Sequence, residues 1–237
     1  MNEKLLRVLL GAAASIMVVA QAAAADDFMT CAKGSGDAAL AACNRAIASG
    51  TYSGSDLASV YSNRGNKYKR KGDTARAIAD YDHAIRIDRS FAIAFYNRGN
   101  TYAEGDQSER AAQDYDEAIR LKPDYPQAFN NRCAVRSYPG QLAQALADCN
   151  ESLRLRPHNA DTLDTRAYVH LKMKNYAAAI ADYDAAVKDL PKQASVLYGR
   201  GLAKQLKGDA SGAADIAAAK KIKPDIAETF DRWGGHD

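Results

Sequence analysis

The chain has 237 residues, of which 47% are hydrophobic and 26% charged, with a formal net charge of +3. That balance excludes a disordered or collagen-like chain and leaves room for a sizeable core. Acidic and basic residues are interleaved, so no concentrated basic face marks a nucleic-acid binder.

The first element, residues 1–25, reads as a secretory signal. Lys4 and Arg7 begin it, an apolar run from Val8 to Ala20 follows, and small residues crowd the end, where Ala20-Gln21-Ala22 or Ala23-Ala24-Ala25 fits a cleavage site. The run is short for a membrane span, and cleavage is favoured over a retained anchor. No cysteine directly follows a cleavage box, which argues against a lipid anchor. The expected location is the periplasm, with secretion as the alternative. In an oxidising compartment, the four cysteines Cys31, Cys43, Cys133 and Cys149 form two sequence-local pairs and suggest two disulfides. A zinc site would require a closer Cys-x-x-Cys spacing.

Residues 26–57 form a partial unit, in which Ala39 to Ile47 resembles the chain's own Ala145 to Leu153. From residue 58 a 34-residue period governs the chain: Arg64, Arg98, Arg132, Arg166 and Arg200 recur at that interval. Each is followed by a small residue (Gly65, Gly99, Cys133, Ala167, Gly201) and preceded three places earlier by a bulky apolar one (Tyr61, Phe95, Phe129, Leu163, Leu197). Tyr61, Gly65 and Tyr68 share one face of a predicted helix; Ala77, Tyr81, Ala84 and Ile85 share one face of a second. Gly72-Asp73 supplies the turn between them, with Asp73 as the cap. One hairpin cannot bury its apolar face alone, so the copies must stack.

The set Phe95, Gly99, Tyr102, Ala111, Tyr115, Ala118 and Pro123 resembles the tetratricopeptide repeat signature. The resemblance implies an all-α fold: a right-handed α-solenoid of five helical hairpins over 58–91, 92–125, 126–159, 160–193 and 194–226, within an array spanning 58–226. Residues 26–57 then become a half repeat stapled by Cys31–Cys43. Residues 227–237 become a C-terminal cap and tail, with Phe230 and Trp233 covering the last unit.

In that family the outward positions of each first helix line a concave groove. Carried over residue by residue, these are Ser62, Asn66 and Lys69, then Tyr96 and Asn100, Asn130 and Tyr138, Asp164 and Tyr168, and Tyr198 and Gln205. The resemblance implies a non-catalytic scaffold that binds a peptide or protein, with no nucleic acid and no stable membrane insertion after signal cleavage. The alternative is a small-molecule or glycan sensor that stacks its ligand on Tyr96, Tyr168 and Tyr198. A carboxylate clamp is excluded: Asn66 and Asn97 fit it, but Ser62, Gln127 and Asn131 stand where its cations belong. The aspartate column Asp80, Asp114, Asp148, Asp182 and Asp215 follows the arginines at near-constant spacing and reads as a ladder of ion pairs, with an arginine stripe that grips acidic ligands as the alternative. Enzyme motifs fail. Gly34 to Ala39 fits a dinucleotide fingerprint without a preceding strand, and the four histidines have no partner at catalytic or metal-ligand spacing. No cofactor or metal is expected.

Overall fold

The computed structural model describes residues 25–137 and 140–232. Expectations for the signal (apart from Ala25), Tyr138 and Trp233 therefore lie outside the described residues. Every regular element described is α-helical, and the chain divides into two compact units at Thr101/Tyr102. Each unit is a stack of antiparallel hairpins, the all-α construction expected of an α-solenoid.

In the first unit, α1 (25–33) and α2 (Gly36–Ala48) lead into α3 (Gly54–Arg70), α4 (Thr74–Ile87) and the start of α5 (Ala92–Glu104). Helix α3 begins at Gly54, so only part of the 50–55 stretch, which reads as a joint in the sequence, is irregular. The Cys31–Cys43 disulfide ties α1 to α2 across twelve residues. Cys31, Cys43, Ala46 and Val60 form a buried cluster, with Phe28, Ile47 and Tyr52 packed on it. So small a core gains from a crosslink, which contributes about 3 kcal/mol for a loop of this length. Arg45 adds a charged clasp to Asp27, and the Lys67 ammonium donates to the Gly34 carbonyl at 2.6 Å.

Close helix approach explains the small residue after each arginine. A Cβ at Gly65 would lie 2.7 Å from the Tyr81 ring, so α3 and α4 can meet there only without a side chain. The turn that precedes α4 follows from its sequence. Gly72 takes φ +78°, and the Asp73 carboxylate accepts from the Arg76 backbone N–H at 3.0 Å.

The second unit holds the end of α5, α6 (Ser108–Leu121), α7 (Pro126–Ser137), α8 (Leu142–Leu155), α9 (Ala160–Lys172), α10 (Tyr176–Asp189), α11 (Ala194–Leu206), α12 (Gly212–Ile222) and α13 (Ile226–Arg232). Its main core joins α9 to α13 through Tyr183, Val196, Ile226 and Phe230, among others. The Cys133–Cys149 disulfide crosses the α7–α8 hairpin at a Cα–Cα distance of 5.5 Å. It stands where the first hairpin packs Gly65 against Tyr81, so a covalent bond replaces ring packing at that level.

The arginine column is the ladder anticipated. Arg64 grips Asp80 through two hydrogen bonds of 2.8 and 2.7 Å, and Arg166 and Arg200 grip Asp182 and Asp215 in the same two-pronged way. A second column was not assigned a role from the sequence. The remaining guanidinium nitrogen of each arginine reaches back to the preceding hairpin: Arg64 to Asn44, Arg98 to Asp82, Arg132 to Asp116, Arg166 to Asn150 and Arg200 to Asp184. Arg64, Arg132, Arg166 and Arg200 thus each fix their own hairpin and the one before it. The recurring Asp-Tyr-Asp blocks at 80–82, 114–116 and 182–184 carry the signal for this arrangement.

Candidate functional site

Within the first unit, the predicted groove positions are largely committed to internal bonds. Ser62 is only 2% exposed and accepts from the Asn97 amide at 3.2 Å, which links α3 to α5. This corrects its expected outward placement: a small hydroxyl at this level packs between two first helices. Asn66 accepts from the Tyr81 hydroxyl at 2.7 Å and so satisfies a buried tyrosine. The same two bonds occupy Asn66 and Asn97, the amides that resembled half of a clamp. Lys69, Tyr96 and Asn100 remain partly exposed.

The second unit is arranged differently. Helices α7, α9 and α11 contribute to the walls of a cavity of about 260 Å³, lined by Asp164, Thr165, Tyr168, Tyr183, Ser195 and Phe230, among others. Asp164 comes from the second turn of α9, and its carboxylate accepts from the Ser195 hydroxyl at 3.0 Å. That is the one polar bond it makes among the described residues. Burial, opposed by the Ser195 bond, pushes its carboxyl up to about 6. Tyr183 projects from α10 and is fully buried, and its hydroxyl has no hydrogen-bond partner among the described residues. Desolvation raises this phenol well above its usual range. The ring fits only because α11 carries Gly199, where a Cβ would fall 2.2 Å from the phenolic oxygen.

Tyr168 and Tyr198 are brought together by α13. Phe230 is 1% exposed and meets Tyr168 edge-on at 5.8 Å and Tyr198 at 4.8 Å between ring centroids. Both tyrosines are therefore buried, which corrects their expected role as open stacking surfaces. The terminal helix reaches back to α9 as well as covering the last hairpin. Thr229 and Arg232 face Ala134 and Val135 across a cleft of about 720 Å³. Of the other predicted residues, Asn130 is partly buried and donates to Asn131 at 3.3 Å, while Gln205 is exposed. Sequence reasoning did not find Ser195, Tyr183 or Phe230 as site residues. Tyr183 and Phe230 sit at positions that read as packing, and Ser195 is separated from Asp164 by a full hairpin.

Among the described residues there is no cluster of His, Cys, Asp and Glu that could hold a metal ion, and no helix long and apolar enough to cross a membrane. His170, which interrupts the aromatic pattern of its repeat, has its imidazole shifted down chiefly by burial.

Stacked hairpins with a recurrent small residue at each close approach and a ligand-sized cavity on the first-helix face define a helical-repeat protein. A family model described as TPR repeat matches residues 65–105, and two described as tetratricopeptide repeat match 92–125 and 165–225. The chain belongs to the tetratricopeptide repeat family.

No curated protein matches the chain in sequence. Among solved structures, it is similar to a tetratricopeptide repeat protein from Parabacteroides merdae, with TM-score 0.70 and 17% identity over 90% of this chain and 88% of that one. It is also similar to YrrB, described as a TPR protein with an unusual peptide-binding site, with TM-score 0.63 and 22% identity over 78% of this chain and 94% of that one. A third similar structure is the first TPR of Spaghetti (RPAP3) bound to an HSP90 peptide, with TM-score 0.50 and 26% identity over 52% of this chain and 98% of that one.

Proposed function

We propose that the chain is a non-catalytic interaction scaffold of the cell envelope, which binds a peptide or protein partner along the groove formed by the first helices of its hairpins. The observation that carries this reading is the cavity in the second unit. Its walls come from α7, α9 and α11 and include two expected groove positions, Asp164 and Tyr168, and an apolar side chain, Phe230, from a separate helix packs there. A surface that receives one helical side chain in this way is shaped to receive others. The peptide-bound structure similar to part of this chain supports the same reading. A preformed surface of stacked helices also limits the ordering cost of binding.

Export to the envelope rests on the amino-terminal segment and is supported by the pairing of all four cysteines. The glycan-sensor alternative has less support, because Phe230 covers two of its three tyrosines.

The test is photocrosslinking in intact cells, with a benzophenone side chain at Thr165 or Gln205 and identification of the adduct by mass spectrometry. A discrete protein adduct recovered from the periplasmic fraction is the expected result. Adducts spread evenly over abundant proteins, or recovery of the chain only from the cytoplasm, would refute the proposal.

A further inference from the structure

The geometry points to a cation subsite in the second unit: the Asp164 pocket takes the ammonium or guanidinium of a Lys or Arg side chain on the bound peptide. This inference deepens the groove-binding reading and rests on it.

Three features meet at one place. The Asp164 carboxylate has a single neutral hydrogen-bond donor, Ser195, and no ion-pair partner among the described residues. The chain's arginines nearby are already committed, Arg166 to Asp182 and Asn150. The second feature is Tyr183, which lines the same cavity and whose buried hydroxyl has no partner among the described residues. Buried polar atoms in folded proteins are otherwise nearly always paired, so this one marks a place where a donor is wanted. The third is the ring pair Tyr168 and Phe230, whose faces and edges give the pocket aromatic walls. Lys172 already stands 5.9 Å from the Tyr168 ring centroid, which shows that this ring accepts a cation.

A carboxylate, a serine hydroxyl and an aromatic wall together match a cationic head on an apolar stem. The ammonium would donate to Asp164 and to the Ser195 oxygen, and its methylenes would lie against the part of Tyr168 that lines the pocket. An anionic or purely apolar side chain would leave the carboxylate desolvated and unpaired. The cavity, about 260 Å³, is of the size a single long side chain needs.

Charge on Asp164 makes the subsite sensitive to pH. The titratable groups facing it are Asp161 and Tyr168 on its own helix and Tyr183 from α10. From the other elements, α7 contributes Ser137, α11 contributes Ser195 and α13 contributes Phe230. Protonation below about pH 6 removes the ion-pair partner, so binding of a basic side chain weakens on acidification.

The experiment selects peptides from a phage-displayed random library on the purified exported chain and measures their affinity by fluorescence anisotropy. Selected sequences are expected to share a Lys or Arg. Its replacement by norleucine or citrulline should weaken binding at least tenfold at pH 7.5. Asp164→Asn, shown to be folded by circular dichroism, should weaken the basic peptide by a similar factor and leave the norleucine or citrulline form unchanged. Acidification from pH 7.5 to 5 should weaken the basic peptide in the parent protein and have little effect in the variant. Peptides that bind with less than a twofold dependence on the basic residue would overturn the cation subsite and leave groove binding intact. Failure to select any peptide would count against groove binding itself, and the subsite would fall with it.

Discussion

The two units use one template and spend its variable positions differently. Tyr81 and Tyr183 occupy the same place in the second helix of their hairpins, and both are fully buried. In the first unit the facing residue is Asn66, which accepts from the Tyr81 hydroxyl at 2.7 Å. In the second unit the equivalent residue is Tyr168, turned toward Phe230, and the Tyr183 hydroxyl is left without a partner. One turn earlier in the first helix, Ser62 is bound by Asn97 while Asp164 is held by Ser195 at the edge of a cavity. In the first unit these positions help to close the structure. In the second they carry polar groups with capacity to spare, a common property of binding sites.

The two disulfides give this contrast its largest test. Removing Cys31–Cys43 with a double serine substitution should cost about 3 kcal/mol and loosen the small cap selectively. Removing Cys133–Cys149 should cost a similar amount, but C133G/C149Y should recover most of it, because it restores the Gly-and-Tyr pairing seen at Gly65 and Tyr81. Thermal denaturation of the three variants decides the matter. Equal loss in all three would mean that ring packing cannot substitute for the crosslink.

The arginine ladder offers a second comparison. Arg64→Ala leaves the buried Asp80 without its two-pronged partner and should cost about 2–3 kcal/mol. Arg200→Ala should cost less, about 1–2 kcal/mol, because Lys204 also holds Asp215 at 2.9 Å. Urea melts of the two variants would show the difference. A larger loss at Arg200 would place more weight on its backward bond to Asp184.

Asp164→Asn should act in the opposite direction. A carboxyl raised from its usual value to about 6 on folding destabilises the folded state once it ionises. That penalty is absent below about pH 4, grows between pH 4 and 6, and is complete above. The variant should therefore be more stable than the parent at pH 7.5, by about 1–2 kcal/mol after allowance for partial exposure, and equally stable below pH 4. A variant that is less stable at pH 7.5 would mean that the carboxylate is structural. Asn66→Ala, which strips Tyr81 of its acceptor, should have the smallest effect, about 1 kcal/mol.

Much of the fold was legible because a 34-residue period fixes which residues face each other. The arginines and the small residues behind them recur in register, and the cysteines fall in sequence-local pairs, so hairpins, ion pairs and crosslinks could be read together. The individuality of each groove position was harder to see. Ser62 is outward by the family resemblance, but its burial depends on Asn97 lying 35 residues away. The burial of Tyr168 and Tyr198 depends on where α13 lands, and one missing residue before Asp215 shifts that helix out of the strict period. The spare hydroxyl of Tyr183 becomes visible only when Tyr168 is seen in the place of Asn66.

Hydrogen-exchange mass spectrometry, on the chain alone and with its crosslinked partner, tests the division of labour most directly. The account predicts slowed exchange in peptides from α9, α11 and α13, with α3 and α4 unchanged. Protection confined to α3 and α4 would contradict it.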